Sequence, residues 1–393
     1  MKQKQVTRRR FLCYSGLTAL GLGLQPIGRS LNLRSQPQKQ SLFYVGTYTS
    51  GRSEGIYLCR LSLTTGEITL QDVFKGISNP SFLALDQGQR HLYAVNEVDD
   101  FEGKKSGAVS SFKIDSATSR LDFLNKRPTR GGSPCHLVVD HTNRNVLVAN
   151  YGGGSAAVIK TRDGDLQEPV ALIQHSGSSV DRDRQQGPHA HCVVLDSTNR
   201  FAFVSDLGLD QIKIYRFDAR RGSLAPHSQP FVPLTPGSGP RHFVIHPNQR
   251  WAYVINELNS TVTAFNYDSS RGHLREFQNI PTLPSNYTGK SDCADIHISP
   301  SGNFLYGSNR GHDSLAVFAI NEQNGSLYPV QYISTGGKTP RNFAIDPSGT
   351  FVLAANQNSD SIVSFWTNPK DGTLTATGQK CELPMPVCIR FLS

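Results

Sequence analysis

The chain has 393 residues, 37% of them apolar and 18% charged, with 35 glycines and 22 prolines; this excludes a disordered or collagen-like polypeptide and favours many turns over long helices. No apolar run reaches the roughly 18 residues of a membrane span. The formal charge is +9, but eight of the basic residues fall in residues 1–40 with no acidic residue among them, so the body is near neutral and lacks the broad basic face that nucleic acid requires.

Taken in chain order, Thr7-Arg8-Arg9-Arg10-Phe11-Leu12 resembles a twin-arginine export signal, followed by a glycine-diluted apolar stretch from Phe11 to Leu24. Residues 25–40 are polar and rich in Pro and Gln, a linker. The expectation is an export signal and linker over 1–40 and one folded domain over 41–393. The protein is then periplasmic, or cytoplasmic if the signal is not used.

The body opens with Phe43-Tyr44-Val45-Gly46-Thr47 and Gly55-Ile56-Tyr57-Leu58-Cys59, which match the later strands of a unit whose first strand is missing. Six whole copies follow, about 50 residues apart, with second strands ending at Asn96, Asn150, Asp206, Asn256, Asn309 and Asn356. Ten residues before these stand Asp86, Asp140, Asp196, His246, Ser299 and Asp346. Each copy alternates short β-branched and aromatic runs with Gly/Asn/Asp/Pro punctuation, about four strands per repeat. The missing strand returns at the far end as Met385-Pro386-Val387-Cys388-Ile389-Arg390-Phe391. Such a pattern predicts an all-β, seven-bladed propeller of four-stranded blades, closed by pairing the N- and C-terminal segments in one blade. Its tryptophans occur as Trp251-Ala252 and Trp366-Thr367, so the Trp-Asp signature of WD40 blades is absent. Cys59, Cys135, Cys192, Cys293, Cys381 and Cys388 show no metal-ligand spacing and read as small buried residues, unless Cys381 forms a disulfide with Cys388 or Cys59.

Antiparallel hairpins place residues equidistant from their turn opposite each other. By that count Arg241 faces Glu257, Asp295 faces Arg310, Arg341 faces Gln357 and His191 faces Asp206, all at one end of their hairpins. Four consecutive blades therefore deliver charged and titratable groups to one mouth of the central channel.

The stretches Gly187-Pro188-His189-Ala190-His191, Gly239-Pro240-Arg241-His242, Asn256-Glu257-Leu258-Asn259, Ala294-Asp295-Ile296-His297, Ser308-Asn309-Arg310-Gly311 and Pro340-Arg341-Asn342-Phe343 resemble the lactonase family of seven-bladed propellers, which includes 6-phosphogluconolactonases and a muconate cycloisomerase. That resemblance spans about residues 42–393. It implies an active site of a His, an Arg, a Glu and a further Arg, falling here on His191 or His189, Arg241, Glu257 and Arg310. Arg310 and Arg341, with Asp295, Asn256, His242 and Gln357, are the candidate substrate contacts.

Opening a lactone needs a base for water, a donor for the oxyanion and a grip on the anionic or hydroxylated end. Glu257 or a histidine of 187–191 suits the first, and arginine the others. The expected function is hydrolysis of a sugar-acid or phosphosugar lactone by a monomer that needs no cofactor or metal. A lactone-forming cycloisomerase would use the same groups. A calcium-dependent lactonase would draw instead on Asp295, Glu257, Asn256 and Asn309 for oxygen ligands. A non-catalytic propeller would use the same mouth to bind a ligand or a protein.

Overall fold

Every apolar run of the repeat forms a strand, and the strands group into seven four-stranded antiparallel sheets in a computed structural model that describes residues 40–392. The expected export signal and linker fall outside the described residues, apart from Gln40. Blade 1 is the composite sheet, ordered Pro386–Phe391, Gln40–Thr47, Gly55–Ser62, Ile68–Lys75 from its inner strand outward. Blades 2 to 7 then follow in sequence, their inner strands being Leu83–Leu85, Pro134–Val139, Ala190–Leu195, Pro240–Ile245, Asp292–Ile298 and Pro340–Ile345. A two-stranded ribbon, Asp100–Phe101 with Lys104–Lys105, is inserted in blade 2.

Sequence dictates the layering. Second strands such as Asn145–Asn150, Phe201–Asp206 and Trp251–Asn256 are buried at all six positions, because each is covered on both faces by neighbouring blades. Outer strands such as Asp165–Gln174 alternate toward solvent, the period-two signature of a one-sided surface. Apolar cores form between successive blades: Phe203, Phe243, Val254 and Phe265 fill the space between blades 4 and 5, and Tyr253, Ile255, Leu305 and Phe318 that between 5 and 6.

The repeated polar residues are architectural. Asp196 Oδ1 accepts the backbone N–H of Arg200 and Phe201 at 2.7 and 2.6 Å and pins the inner hairpin turn; Asp140 does the same for Arg144 and Asn145. At the other end Asn256 donates to Thr261 and Thr263 and Asn309 to Ser314, tying the second strand to the third, while Asn309 also donates to the Thr282 carbonyl just past the outer strand of the preceding blade.

The terminal segments pair in one blade as expected, with Phe43 opposite Phe391, Tyr44 opposite Arg390 and Val45 opposite Ile389. All six described cysteines are free. Five of them are buried, as expected of small strand residues, and the alternative of a Cys381 disulfide does not form: the Cys388 thiol is a buried acceptor for the Leu83 N–H.

Candidate active site

A shared irregularity aims side chains at one end of the channel. In blade 5, Pro240 pairs with Asn256 but His242 pairs with Ile255, leaving Arg241 as an extra residue. Equivalent bulges leave out Cys135 in blade 3, His191 in blade 4 and Arg341 in blade 7. A bulge turns its extra residue out of the pleat, so the same position in four blades points into the mouth. A second tier comes from the residue that follows the second strand. Tyr151, Leu207, Glu257 and Gln357 each donate their backbone N–H to the segment entering the inner strand, at Ser133, His189, Gly239 and Thr339, and Tyr48 and Glu97 do likewise at Met385 and Asn79.

Glu257 is the hub. Its Oε2 accepts from Arg241 Nε at 3.0 Å and Arg310 Nη2 at 2.8 Å, and its Oε1 from Arg184 Nη2. Burial alone would raise its carboxyl, but Arg310, Arg241 and Arg184 outweigh that and hold it at about 2. Behind Glu257 runs a buried chain. Arg241 Nη1 donates to His242 Nε2 at 3.1 Å and to the Ala294 carbonyl at 2.7 Å, while His242 Nδ1 lies 2.7 Å from Asp295 Oδ1. With Nε2 accepting from a guanidinium, His242 carries its proton on Nδ1 and gives it to Asp295. Burial and the Arg241 charge bring His242 down to about 4. Arg241 itself is lowered to about 10 by burial and by the neighbouring Arg341 and Arg310. Its Nη2 has no protein acceptor among the described residues.

His191 lies beside this chain, its ring 5.4 Å from that of His242 and 5.5 Å from Tyr151. Burial, then Arg241, His242 and Arg341, hold it well below the usual imidazole range, so it is neutral. Cys135 donates toward the His191 carbonyl at 3.3 Å and stands 3.7 Å from its Nδ1, which leaves Nε2 without a partner among the described residues. His189 instead places Nδ1 3.0 Å from the Tyr151 carbonyl and stacks on the Tyr151 ring. Across the mouth Arg341 lies over the Tyr48 ring at 5.4 Å and has no hydrogen-bond acceptor among the described residues.

Over residues 42–391 the chain matches the family model described as Lactonase, 7-bladed beta-propeller. The chain belongs to the seven-bladed lactonase family. With that membership it is a carboxylic-ester hydrolase of the 6-phosphogluconolactonase-like kind. It is 36% identical over 353 residues to the 6-phosphogluconolactonase of Bacillus subtilis, covering 89% of this chain and 97% of that one. Among solved structures it resembles a periplasmic gluconolactonase of Pseudomonas aeruginosa, at 35% identity and a TM-score of 0.85 over 90% of this chain and 99% of that chain. A putative 6-phosphogluconolactonase of Bacteroides fragilis is similar at 35% identity and a TM-score of 0.84, over 90% and 98% of the two chains.

In this lactonase the residues expected at the mouth divide into two groups. Arg241, Glu257, Arg310, His191, His189 and Arg341 gather there. Asp295 does not face Arg310: Cys293 pairs with Asn309 and Ile296 with Gly307, so Asp295 lies level with Ser308, to whose hydroxyl its N–H donates, and Arg310 falls opposite Asp292. Asp295 is buried behind His242 and also accepts from His297 and Asn342, so its oxygens are already engaged. The amide nitrogen of Asn256 is spent inside its own blade while its Oδ1 is buried without a partner among the described residues, and the side chain of Gln357 forms no hydrogen bond with the cluster. A calcium site on these residues fits poorly, since three guanidiniums hold Glu257, Asp295 already accepts from His242, His297 and Asn342, and Asn309 Oδ1 accepts from the Thr282 hydroxyl. Glu97, Tyr48 and Tyr151 carry no signal of their own in the sequence, although they occupy the same repeat position as Glu257. Arg184 lies in the linker between blades 3 and 4, where no repeat marks it.

Proposed function

We propose that this lactonase opens a sugar-acid or phosphosugar lactone at the mouth that holds Arg241, Glu257 and His191. The observation that supports this reading most is the unspent chemistry there: a neutral imidazole nitrogen on His191, an unpaired Nη2 on Arg241 and an unpaired guanidinium on Arg341. His191 takes a proton from water through Nε2 as the oxygen attacks the lactone carbonyl. Arg241 Nη2 donates to the oxyanion, in the manner of a preorganised oxyanion donor. The ring C–O bond then breaks, and the proton on His191 passes to the departing ring oxygen to give the hydroxy acid. Glu257, held at about 2, is too weak a base for the first step and acts as the anchor that fixes three arginines. Arg310 and Arg341 donate to oxygens at the far end of the substrate, a phosphate where it carries one.

Export of residues 1–40 by the twin-arginine route belongs to the same reading, and the periplasmic gluconolactonase relative supports it. An exported enzyme meets unphosphorylated aldonolactones, which makes glucono-δ-lactone the first substrate to try. Acid release from it and from its 6-phosphate, followed at constant pH, should exceed the spontaneous rate and fall at least 100-fold in His191→Ala and Arg241→Ala. No rate above background on either lactone would sink the proposal and favour a binding propeller. A reporter fused to residues 1–40 that stays in the cytoplasm would remove the export half alone.

A further inference from the structure

The wall facing the arginine cluster carries a second carboxylate that the reaction above does not use. Seven blades in a ring place blade 5, with Arg241 and Glu257, three steps from both blade 1 and blade 2, so Tyr48 and Glu97 lie across the channel from Glu257. Glu97 is half-buried and held in place: the Tyr48 hydroxyl donates to its Oε1 and Oε2 at 3.0 and 2.9 Å, and the Ser81 hydroxyl to Oε2. Its backbone is fixed as well, its N–H donating to the Asn79 carbonyl and its carbonyl accepting from Asn79 Nδ2 at 3.1 Å. It forms no ion pair with any described residue, unlike Glu257. Two hydroxyl donors leave lone pairs of this carboxylate unused, since a carboxylate has about four acceptor directions.

This wall therefore differs in kind from the one opposite. Guanidiniums donate only, and suit carbonyl, carboxylate or phosphate oxygens; an unpaired carboxylate accepts only, and suits hydroxyls. We propose that Glu97, oriented by Tyr48 and Ser81, forms a subsite that accepts hydrogen bonds from the hydroxyl groups of a polyhydroxylated lactone ring whose carbonyl side faces Arg241. The inference rests on the lactonase reading and extends it to what selects the substrate. Arg341, stacked on Tyr48, borders the subsite and keeps the Tyr48 ring in position. A site that answers hydroxyls discriminates strongly against a ring that lacks them, because its buried acceptor then loses water without regaining a donor.

Glucono-δ-lactone and δ-valerolactone share the reacting ester and differ in hydroxylation, so the ratio of their kcat/KM values isolates the subsite. The wild-type protein should favour the hydroxylated ring, and Glu97→Gln should lower that ratio at least tenfold. Tyr48→Phe leaves the carboxylate in place but less firmly held, and should move the ratio in the same direction by a smaller factor, which covers the case in which Glu97→Gln fails to fold. If Glu97 served only to balance the charge of Arg341, both lactones would slow together; a ratio within twofold of wild type in both variants, or a wild-type ratio near one, overturns the subsite. A wild-type protein that opens neither ring overturns instead the lactonase reading beneath it.

Discussion

Three imidazoles, His136, His191 and His242, sit in the inner layers of the channel and are held below their ordinary range, first by burial and then by nearby cations. In the unfolded chain each titrates near 6.5, so below that pH unfolding takes up protons that the native state refuses. The sign follows directly: stability is complete above about pH 6.5 and is lost as the pH falls toward 4 and below. Each group contributes a slope of about 1.4 kcal/mol per pH unit, so together up to about 4. The melting temperature measured by calorimetry should therefore drop steeply between pH 6.5 and 4, and His136→Gln should remove about a third of that slope. A flat profile through this window would show that the imidazoles are charged in the folded protein. At the same scale, Asp295→Asn leaves the donors of His242, His297 and Asn342 competing for half of their acceptor. Leaving a buried donor without its acceptor costs about 1–3 kcal/mol. Because Asp295 orients Arg241 through His242 and does not line the mouth, kcat should fall at least tenfold while KM changes less than threefold; a KM effect larger than the kcat effect would place Asp295 in contact with substrate.

The strand bulge is the element on which the site depends, and it is also where the sequence is hardest to read. Repeat spacing reveals the hairpins, and counting outward from the turn at His246–Arg250 brings Arg241 to Glu257. That count succeeds because one extra residue shifts the pairing without carrying Arg241 away from the mouth. It fails for Asp295, because this hairpin turns about a point one residue earlier than the Asp295–Arg310 count requires: Ile298 pairs with Leu305 and Ile296 with Gly307, which brings Asp295 level with Ser308, and no residue type there announces the shift. Glu97 and Tyr48 are legible in principle from their repeat position, whereas Arg184 is not, since an irregular linker has no period to betray what it delivers. That linker also carries the histidine stretch, and Gly208 controls its approach. A Cβ on Gly208 would stand 1.9 Å from the Gly187 carbonyl oxygen, so Gly208→Ala must displace the backbone that leads to His189 and His191. Stopped-flow acid release should show at least a tenfold loss in kcat/KM with the far-ultraviolet spectrum retained. Unaltered kinetics would mean that the position of the histidine stretch is immaterial to turnover.

At the scale of the whole molecule, a propeller has no core of its own within any blade; each sheet is completed by the next, and the ring is completed by its last strand. Pro386–Phe391 joins three sheets. It pairs along Gln40–Thr47, the Ile389 N–H donates to Asn342 of blade 7 at 2.7 Å, and Arg390 Nε donates to the Leu83 carbonyl of blade 2 at 2.8 Å. Val387, Cys388 and Ile389 are buried, and burial of each of the two branched side chains is worth about 1.5–3 kcal/mol. Adding the lost strand pairing brings the cost of deletion to the size of a typical domain's whole stability, about 5–15 kcal/mol. A chain ending at Leu383 should then fail to give a cooperative melting transition, although more than nine-tenths of the propeller sequence is intact. Ile389→Ala offers the graded version, with an expected loss of about 2–5 kcal/mol by urea denaturation, since Ile389 packs among Phe43, Val45 and Phe351. The same variant reaches the mouth through Asn342, which bonds both Ile389 and Asp295, so closure and catalysis should weaken together. An Ile389→Ala protein as stable as the parent would mean that the ring is held by its other six blades and that its seam carries no load.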